Sequence, residues 1–322
     1  MGGSYTESNV EKGEVHRGDE INIKEIFSVL SAGKWFILIT TLIFSVTGIA
    51  YVLVKPNIYE ANVLLAPAND ESVVNGIGDQ LGGLASLAGL NVRNNGANQT
   101  LIAIEVLKSR AFLSDFIRRR QLEVPLLGTT AWDEESRAWV YDRDVYNPVS
   151  GDWLADEQGR SYKPTAWDLV KAFKEDHLTV SEKKESSMIV LSVRSVSPTA
   201  AQRWAQWLVA DINERMRQKD VSEASARIEY LEEKLSETNV AGMQRVFYQL
   251  IENETRTVML ANAKQEYVFM TVDPAVVPQE RIEPKRGLII ALAAILGVVS
   301  GALIILLRFF LSEARQNEKM SG

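Results

Sequence analysis

The stretches WFILITTLIFSVTGIAYVLV (residues 35–54) and LIIALAAILGVVSGALIILL (residues 288–307) decide the fold of this chain. Neither stretch contains Asp, Glu, Lys, Arg or His. At about 1.5 Å of rise per residue, a helix of about 20 residues spans about 30 Å, the thickness of the hydrocarbon core of a bilayer. We therefore predict two transmembrane helices. Two buried core helices of a soluble protein are the alternative, which the complete lack of charge disfavours.

The two predicted spans enclose one long central segment, residues 55–287, and leave two short terminal stubs, residues 1–34 and 308–322. Lys and Arg in both stubs favour the cytoplasm for them, although the central segment also has basic residues near its ends. The first span begins too far into the chain for a cleaved signal peptide and is interpreted as a retained anchor. We predict a bacterial inner-membrane protein with two spans, its bulk in the periplasm and both termini in the cytoplasm.

Composition limits the classes of function that the chain can have. The net charge of −7 and the lack of a long basic run argue against nucleic acid as a partner. There is no Cys, and His16 and His177 fall on opposite sides of the first span, so the sequence offers no metal cluster. It also has no G-x-x-x-x-G-K-[ST] motif and no nucleophile elbow. We predict no catalytic, cofactor-binding or metal site, and a protein that is not an enzyme.

The first part of the central segment predicts one strand and one long helix. YEANVLLAP (Tyr59–Pro67) is a strand candidate, and residues 101–120 form an amphipathic helix. The apolar face of that helix is predicted to carry Ile104, Leu107, Ala111, Phe112 and Phe116. The three arginines 118–120 are interpreted as a solvated helix end, with an anionic ligand as the alternative. The Gly-rich residues 76–90 predict a mobile loop rather than a phosphate-binding turn, and residues 1–20 are expected to be disordered.

Residues 124–165 break this pattern and predict a compact insertion of short strands and turns. The insertion carries Trp132, Trp139 and Trp153 beside several carboxylates. Packing in a small core is the favoured role of these indoles, and sugar binding is the alternative. Two further strands are predicted at residues 177–180 and 188–196.

The longest stretch without proline in the body predicts an up-and-down helical hairpin. Ser197 is suited to the N-cap and Pro198 to the first helical turn, and the polar residues 236–242 interrupt the apolar period. The arms are predicted near residues 198–235 and 243–263, with the first about 55 Å long. A helix pair with an apolar outer stripe does not bury that stripe alone, so we expect a homo-oligomer.

The approach to the second span is the most distinctive local pattern. Residues 267–275 predict a strand, and Pro274, Pro278 and Pro284 predict an extended, non-helical link from it to the span. Within the span, Gly297 and Gly301 form a G-x-x-x-G face that permits close contact between helices.

Together these segments resemble the Wzz chain-length determinant family, the class 1 polysaccharide co-polymerases, over residues 23–308. The most specific stretch is LIENETRTVMLANAKQEYVFMTVDPAVVPQERIEPKR (residues 250–286), followed by the glycine-bearing span. Further matches are IEVLKSRAFLSDFI at residues 104–117, SPTAAQRWAQWLVADIN at 197–213 and ARIEYLEEKL at 226–235. The expected fold is α+β, with two transmembrane helices flanking a periplasmic α/β base (residues 55–197), an extended helical hairpin (198–266) and a return strand with the proline-rich link (267–287).

The resemblance implies a non-catalytic co-polymerase that sets the modal length of a lipid-linked polysaccharide of the O-antigen type. It implies a homo-oligomer of roughly eight copies beside a Wzy-type polymerase. Functional importance in the family maps here to Pro274, Pro278, Pro284, Gly297 and Gly301, and we expect the two glycines to contact another protomer or the polymerase. The hairpin is shorter than in well-known members, so its height is not carried over. A two-span periplasmic sensor or adaptor, and an exporter-linked or kinase-linked co-polymerase, remain as alternatives.

Overall fold

The computed structural model describes residues 29–68 and 95–320, and these belong to two compact units. One unit holds the described parts of residues 1–55 and 285–322, and the other holds those of residues 56–284. The expectations for residues 1–20 and 76–90 lie outside the described residues. Residues 29–32 are helical and end at a turn at Gly33.

The first unit consists of two long apolar helices. In chain order these are α1 (Lys34–Val54) and α8 (Arg286–Met320). The segments Lys34–Val54 and Arg286–Leu311 are long and apolar enough to cross a membrane. Their bounds agree closely with the two stretches predicted from the sequence, so two candidate spans are confirmed.

The second unit is built on a four-stranded antiparallel sheet. Its strands are β1 (Tyr59–Pro67), β6 (Leu178–Lys183), β7 (Met188–Ser195) and β8 (Phe269–Asp273), in the order β6-β7-β1-β8. Alternate residues of β1 are buried, as the period of two requires for a strand with one face in the core. The predicted strands of the base are therefore confirmed.

Short helices share the core of this sheet. They are α2 (Asn95–Leu107), α3 (Arg110–Arg119), α4 (Glu123–Leu127) and α5 (Ala166–Ala172), which continues as a π turn over Phe173–His177. The prediction of a single helix over residues 101–120 is wrong, because the helix is interrupted between Leu107, where α2 ends, and Arg110, where α3 begins. Ser109 is extended there, and its Oγ accepts a hydrogen bond from the backbone N–H of Phe112 at 3.2 Å. Ala111 is exposed rather than buried as predicted.

The insertion forms two small antiparallel ribbons. The first pairs β2 (Thr129–Asp133) with β3 (Ala138–Tyr141), and the second pairs β4 (Tyr146–Asn147) with β5 (Asp152–Trp153). Trp132 and Trp139 meet edge to face at 5.2 Å between ring centroids, and Trp139 stacks on Trp204 at 6.5 Å. Because Trp139 packs against the main core, the core role favoured from the sequence is confirmed for this residue.

The hairpin consists of α6 (Pro198–Glu237) and α7 (Ala241–Ala263), joined by three residues. Ser197 caps α6 by accepting a hydrogen bond from Ala200 N–H at 3.3 Å, as predicted. At about 1.5 Å per residue, α6 is about 60 Å long. Its first turns are buried in the core, through Ala201, Trp204, Ala205, Leu208, Ile212 and Met216. Its later turns pack on α7, where Arg227 forms an ion pair with Glu254 at 2.9 Å.

A buried amide on α6 fixes the start of β8. Asn213 is 5% exposed, and its Nδ2 donates to Phe269 O at 2.9 Å. Its Oδ1 accepts from the N–H groups of Val268 and Phe269, both at 2.9 Å. One side chain therefore satisfies three buried backbone groups and sets β8 in register beside β1.

We expect Asn213→Ala to lower the free energy of unfolding by about 2–4 kcal/mol, because it leaves buried backbone groups without partners. The measurement is denaturant unfolding of the purified full chain in mild detergent, followed by near-ultraviolet circular dichroism. Asn253→Ala, at an exposed position on α7, is the matched control and should leave the midpoint unchanged. Equal midpoints for the two variants would contradict the role given to Asn213.

Candidate functional site

The link between β8 and α8 is extended, as the sequence predicted. Residues 274–285, all of which the structure describes, include no helical turn and only one isolated bridge residue, Glu283. Pro274 is exposed, whereas Pro278 and Pro284 are half-buried. Proline fixes φ and removes a backbone donor, which accounts for a segment that joins neither the sheet nor the following helix.

The far end of the link is bonded to the segment that enters the body from the first span. Ile58 N–H donates to Glu283 O at 3.0 Å, and Ile282 N–H donates to Ile58 O at 2.8 Å. Arg194 on β7 lies beside this pair, 2.8 Å from the Glu60 carboxylate and 3.9 Å from that of Glu283. The points where the chain enters and leaves the body are therefore held side by side.

The two glycines of the second span lie against the first span of the same chain. A Cβ added at Gly297 would lie 2.6 Å from Thr41 Cα, and one at Gly301 would lie 3.0 Å from Ile37 Cα. The sequence led us to expect this close contact with another protomer or with a polymerase. The structure instead shows an intrachain contact, because α1 and α8 pack as an antiparallel pair.

Polar and small groups extend this close approach along the helix pair. Thr40 Oγ1 lies 3.2 Å from Gly297 O, within hydrogen-bond distance, and also 2.9 Å from Ile37 O in its own helix. Further along, a Cβ added at Gly48 would lie 2.8 Å from the Cβ of Ala293. Small residues on both helices thus let the two backbones approach over several turns.

At the helix end formed by residues 118–120, Arg118 is solvated as predicted, whereas Arg120 forms a half-buried ion pair with Asp211. The Arg120 guanidinium donates to Asp211 Oδ1 at 2.6 Å and Oδ2 at 3.3 Å, and Arg119 lies 3.4 Å from the same carboxylate. Arg120 also stacks on the ring of Trp207 on α6, at 4.9 Å. These arginines join α3 to α6, and nothing in the sequence indicated Asp211 as their partner.

The titratable groups of the base with shifted pKa values have structural partners. Burial lowers the pKa of His177, against the opposing effect of its Nδ1 contact with Arg194 O at 2.7 Å. Its ring packs on Phe173 and Trp204. Burial and a hydrogen bond to Glu134 raise the pKa of Tyr59. Among the residues with described side chains, no group of His, Asp and Glu is placed to hold a metal ion.

The fold and this geometry define a class of protein: a chain with two candidate membrane spans and a folded domain between them. Residues 19–119 match the model of the Wzz family, described as chain length determinant protein. Residues 235–310 match a second model, GNVR, described as the G-rich domain on putative tyrosine kinase. The resemblance identified from the sequence, and the α+β fold class with two flanking helices, are confirmed.

Two solved structures are also similar to this chain. A full-length bacterial polysaccharide co-polymerase is 13% identical, with a TM-score of 0.40, and the match covers 91% of this chain and 99% of that one. A fragment of WzzB, a polysaccharide co-polymerase from Salmonella Typhimurium, is 14% identical, with a TM-score of 0.30, and the match covers 70% and 100%. No curated protein sequence matches the chain.

We expect Gly297→Leu/Gly301→Leu to separate the two spans, because each added side chain meets the α1 backbone. Cysteines at Thr47 and Leu292, exposed positions each one residue from the contact of Gly48 with Ala293, can be joined by a short bifunctional thiol reagent, because the chain has no other cysteine. The yield of this internal cross-link in membranes should fall in the leucine background while membrane levels stay normal. Val298→Leu/Val299→Leu, on the exposed face of α8, is the control. An unchanged yield with the leucine pair would show that the spans do not depend on these glycines.

Proposed function

We propose that this chain regulates the modal length of a lipid-linked surface polysaccharide of the O-antigen type. The observation that carries the proposal is the Wzz match over residues 19–119, which spans α1, β1, α2 and α3. In this proposal the chain is a co-polymerase beside a Wzy-type polymerase in the bacterial inner membrane. The body between the spans is in the periplasm, and both termini are in the cytoplasm.

The proposed activity is binding and geometry rather than bond formation. The groups with catalytic potential in the base have structural partners: His177 packs between aromatic rings, and Asp211 is paired with arginine. The later turns of α6 expose a row of polar side chains, among them Glu229, Glu232 and Glu237. Many weak contacts along such a surface would give graded effects on length when single residues are changed.

Exposed apolar side chains on the flanks of α7 support assembly of several copies. Its exposed apolar side chains are Met243, Val246, Tyr248, Leu250, Met259 and Leu260. At about 100° per residue, Leu250 and Met259 lie on opposite flanks of the stripe that faces α6. Two different apolar flanks suit a head-to-tail contact, which closes into a ring when the rotation permits. We propose a ring of roughly eight copies.

Deletion of the gene tests the proposed function directly. We expect the modal band of the surface polysaccharide to be replaced by a distribution without a preferred length, and plasmid-borne chain to restore it. The measurement is gel electrophoresis of the extracted polysaccharide. Total loss of polymer would indicate an export role instead, and an unchanged pattern would favour the sensor or adaptor.

A second candidate is a kinase-linked co-polymerase, which the GNVR match at residues 235–310 favours. Residues 308–322 contain no tyrosine, so a tyrosine kinase in such a system would not modify this segment at tyrosine. Purification of the chain from membranes under mild conditions separates the two candidates. A kinase that co-purifies, and whose deletion changes polymer length, would support the second one.

We expect Leu250→Glu and Met259→Glu, each on one flank of α7, to weaken the assembly because either change places a charge in an apolar contact. Chemical cross-linking in membranes should show species larger than a dimer for the wild type and fewer of them for each variant. Gln249→Glu, on the side of α7 opposite α6, is the matched control and should cross-link as the wild type does. A wild type that is monomeric in membranes and in mild detergent would refute the ring.

A further inference from the structure

We propose that Gln202 and Gln206 are positioning residues for length control, because they hold the start of the proline-rich link on the first turns of α6. The inference rests on the proposed function and assigns part of it to a specific contact. The part of the link that we call the strap, residues 275–283, is fixed to the body at both ends.

The first anchor is a fork of two amides on one carbonyl. Gln202 Nε2 donates to Ala275 O at 3.1 Å, and Gln206 Nε2 donates to the same oxygen at 3.2 Å. The two glutamines are four residues apart, so they lie on one face of α6. A carbonyl oxygen has two lone pairs, and both are used here. Ala275 itself is 2% exposed, so its carbonyl is held within the protein rather than by bulk water.

The second anchor is the bridge between Glu283 and Ile58, with Arg194 beside it. Between the two anchors the strap is open to solvent, with Val276 67% and Val277 41% exposed. Pro278 lies in this part and stiffens it without adding a backbone donor. The path of the strap therefore depends on its two ends.

The first turns of α6, which carry the two glutamines, are fixed in the core and are continuous with the hairpin. Trp204, Ala205 and Leu208, on the same turns as the glutamines, are buried in the core. The same helix continues without interruption to Glu237 as the first arm of the hairpin. The fork therefore fixes the start of the strap to the arm that, in the proposed function, senses the polymer.

The two donors predict a redundant contact. We expect Gln202→Ala and Gln206→Ala each to keep the modal band, since one amide still holds Ala275 O. The double variant should lose the band or shift it, with membrane level and cross-linked species at wild-type values, and its unfolding midpoint should fall because the buried Ala275 O loses both donors. Gln218→Ala, which removes an exposed glutamine of α6 bonded to Glu214, is the matched control. A purely structural role would lower the unfolding midpoint without this non-additive effect on length.

A spin label reports on the strap independently of the polysaccharide. The chain lacks cysteine, so Val276→Cys gives a single labelling site in the full-length protein in membranes. We expect the mobility of the label to rise in the double glutamine variant and to stay unchanged in each single variant and in Gln218→Ala. Unchanged mobility in the double variant would overturn the inference, as would higher mobility with an unchanged modal band.

Insertion of a glycine between residues 276 and 277 is a second test, for use if the double variant does not accumulate. The insertion lies in the exposed part of the strap and leaves both anchors in place, so it lengthens the strap without removing a buried contact. We expect the modal band to shift or disappear. An unchanged band would contradict the inference while the deletion strain still loses its band, so the proposed function would stand. If deletion itself leaves the pattern unchanged, the proposed function and the inference fail together.

Discussion

The single continuous helix α6 lies in two different environments. Its first turns lie in the core of the base, where Trp204, Leu208 and Ile212 are buried against residues of the sheet and of the short helices. Its last turns, toward Glu237, pack on α7 and are largely exposed. An isolated helix gains little stability from propensity alone, so the buried first part provides the free energy that holds the exposed part in place. The exposed arm is therefore a consequence of how well the base is packed.

Local signals in the sequence were sufficient for most of the elements. The alternation in Tyr59–Pro67 and the cap at Ser197 act within a few residues, and both are found as predicted. The break at Ser109 was missed because the apolar period of residues 101–120 continues on both sides of it. The cap bond to Phe112 N–H outweighs that period locally.

Long-range partners are the part that the sequence did not predict. Arg120 and Asp211 are 91 positions apart, and a basic helix end looks the same with or without such a partner. The glycine pair shows the same limit, since G-x-x-x-G predicts close approach but does not identify the helix that approaches. Here it is α1 of the same chain, and the surface of α8 that remains for other proteins is the opposite one.

Attachments from four parts of the chain converge on the first turns of α6. Arg120 joins α3 to Asp211, and Trp139 joins the insertion to Trp204. Asn213 holds β8, and the two glutamines hold the link. Each attachment uses a different face or turn of the helix, so none replaces another. Because a packed helix moves as a rigid body, any displacement of the arm is shared among all four attachments. The indole of Trp139 takes part in this packing. The alternative role of the insertion, sugar binding, would therefore depend on aromatic residues other than Trp139, such as Tyr146 and Trp153.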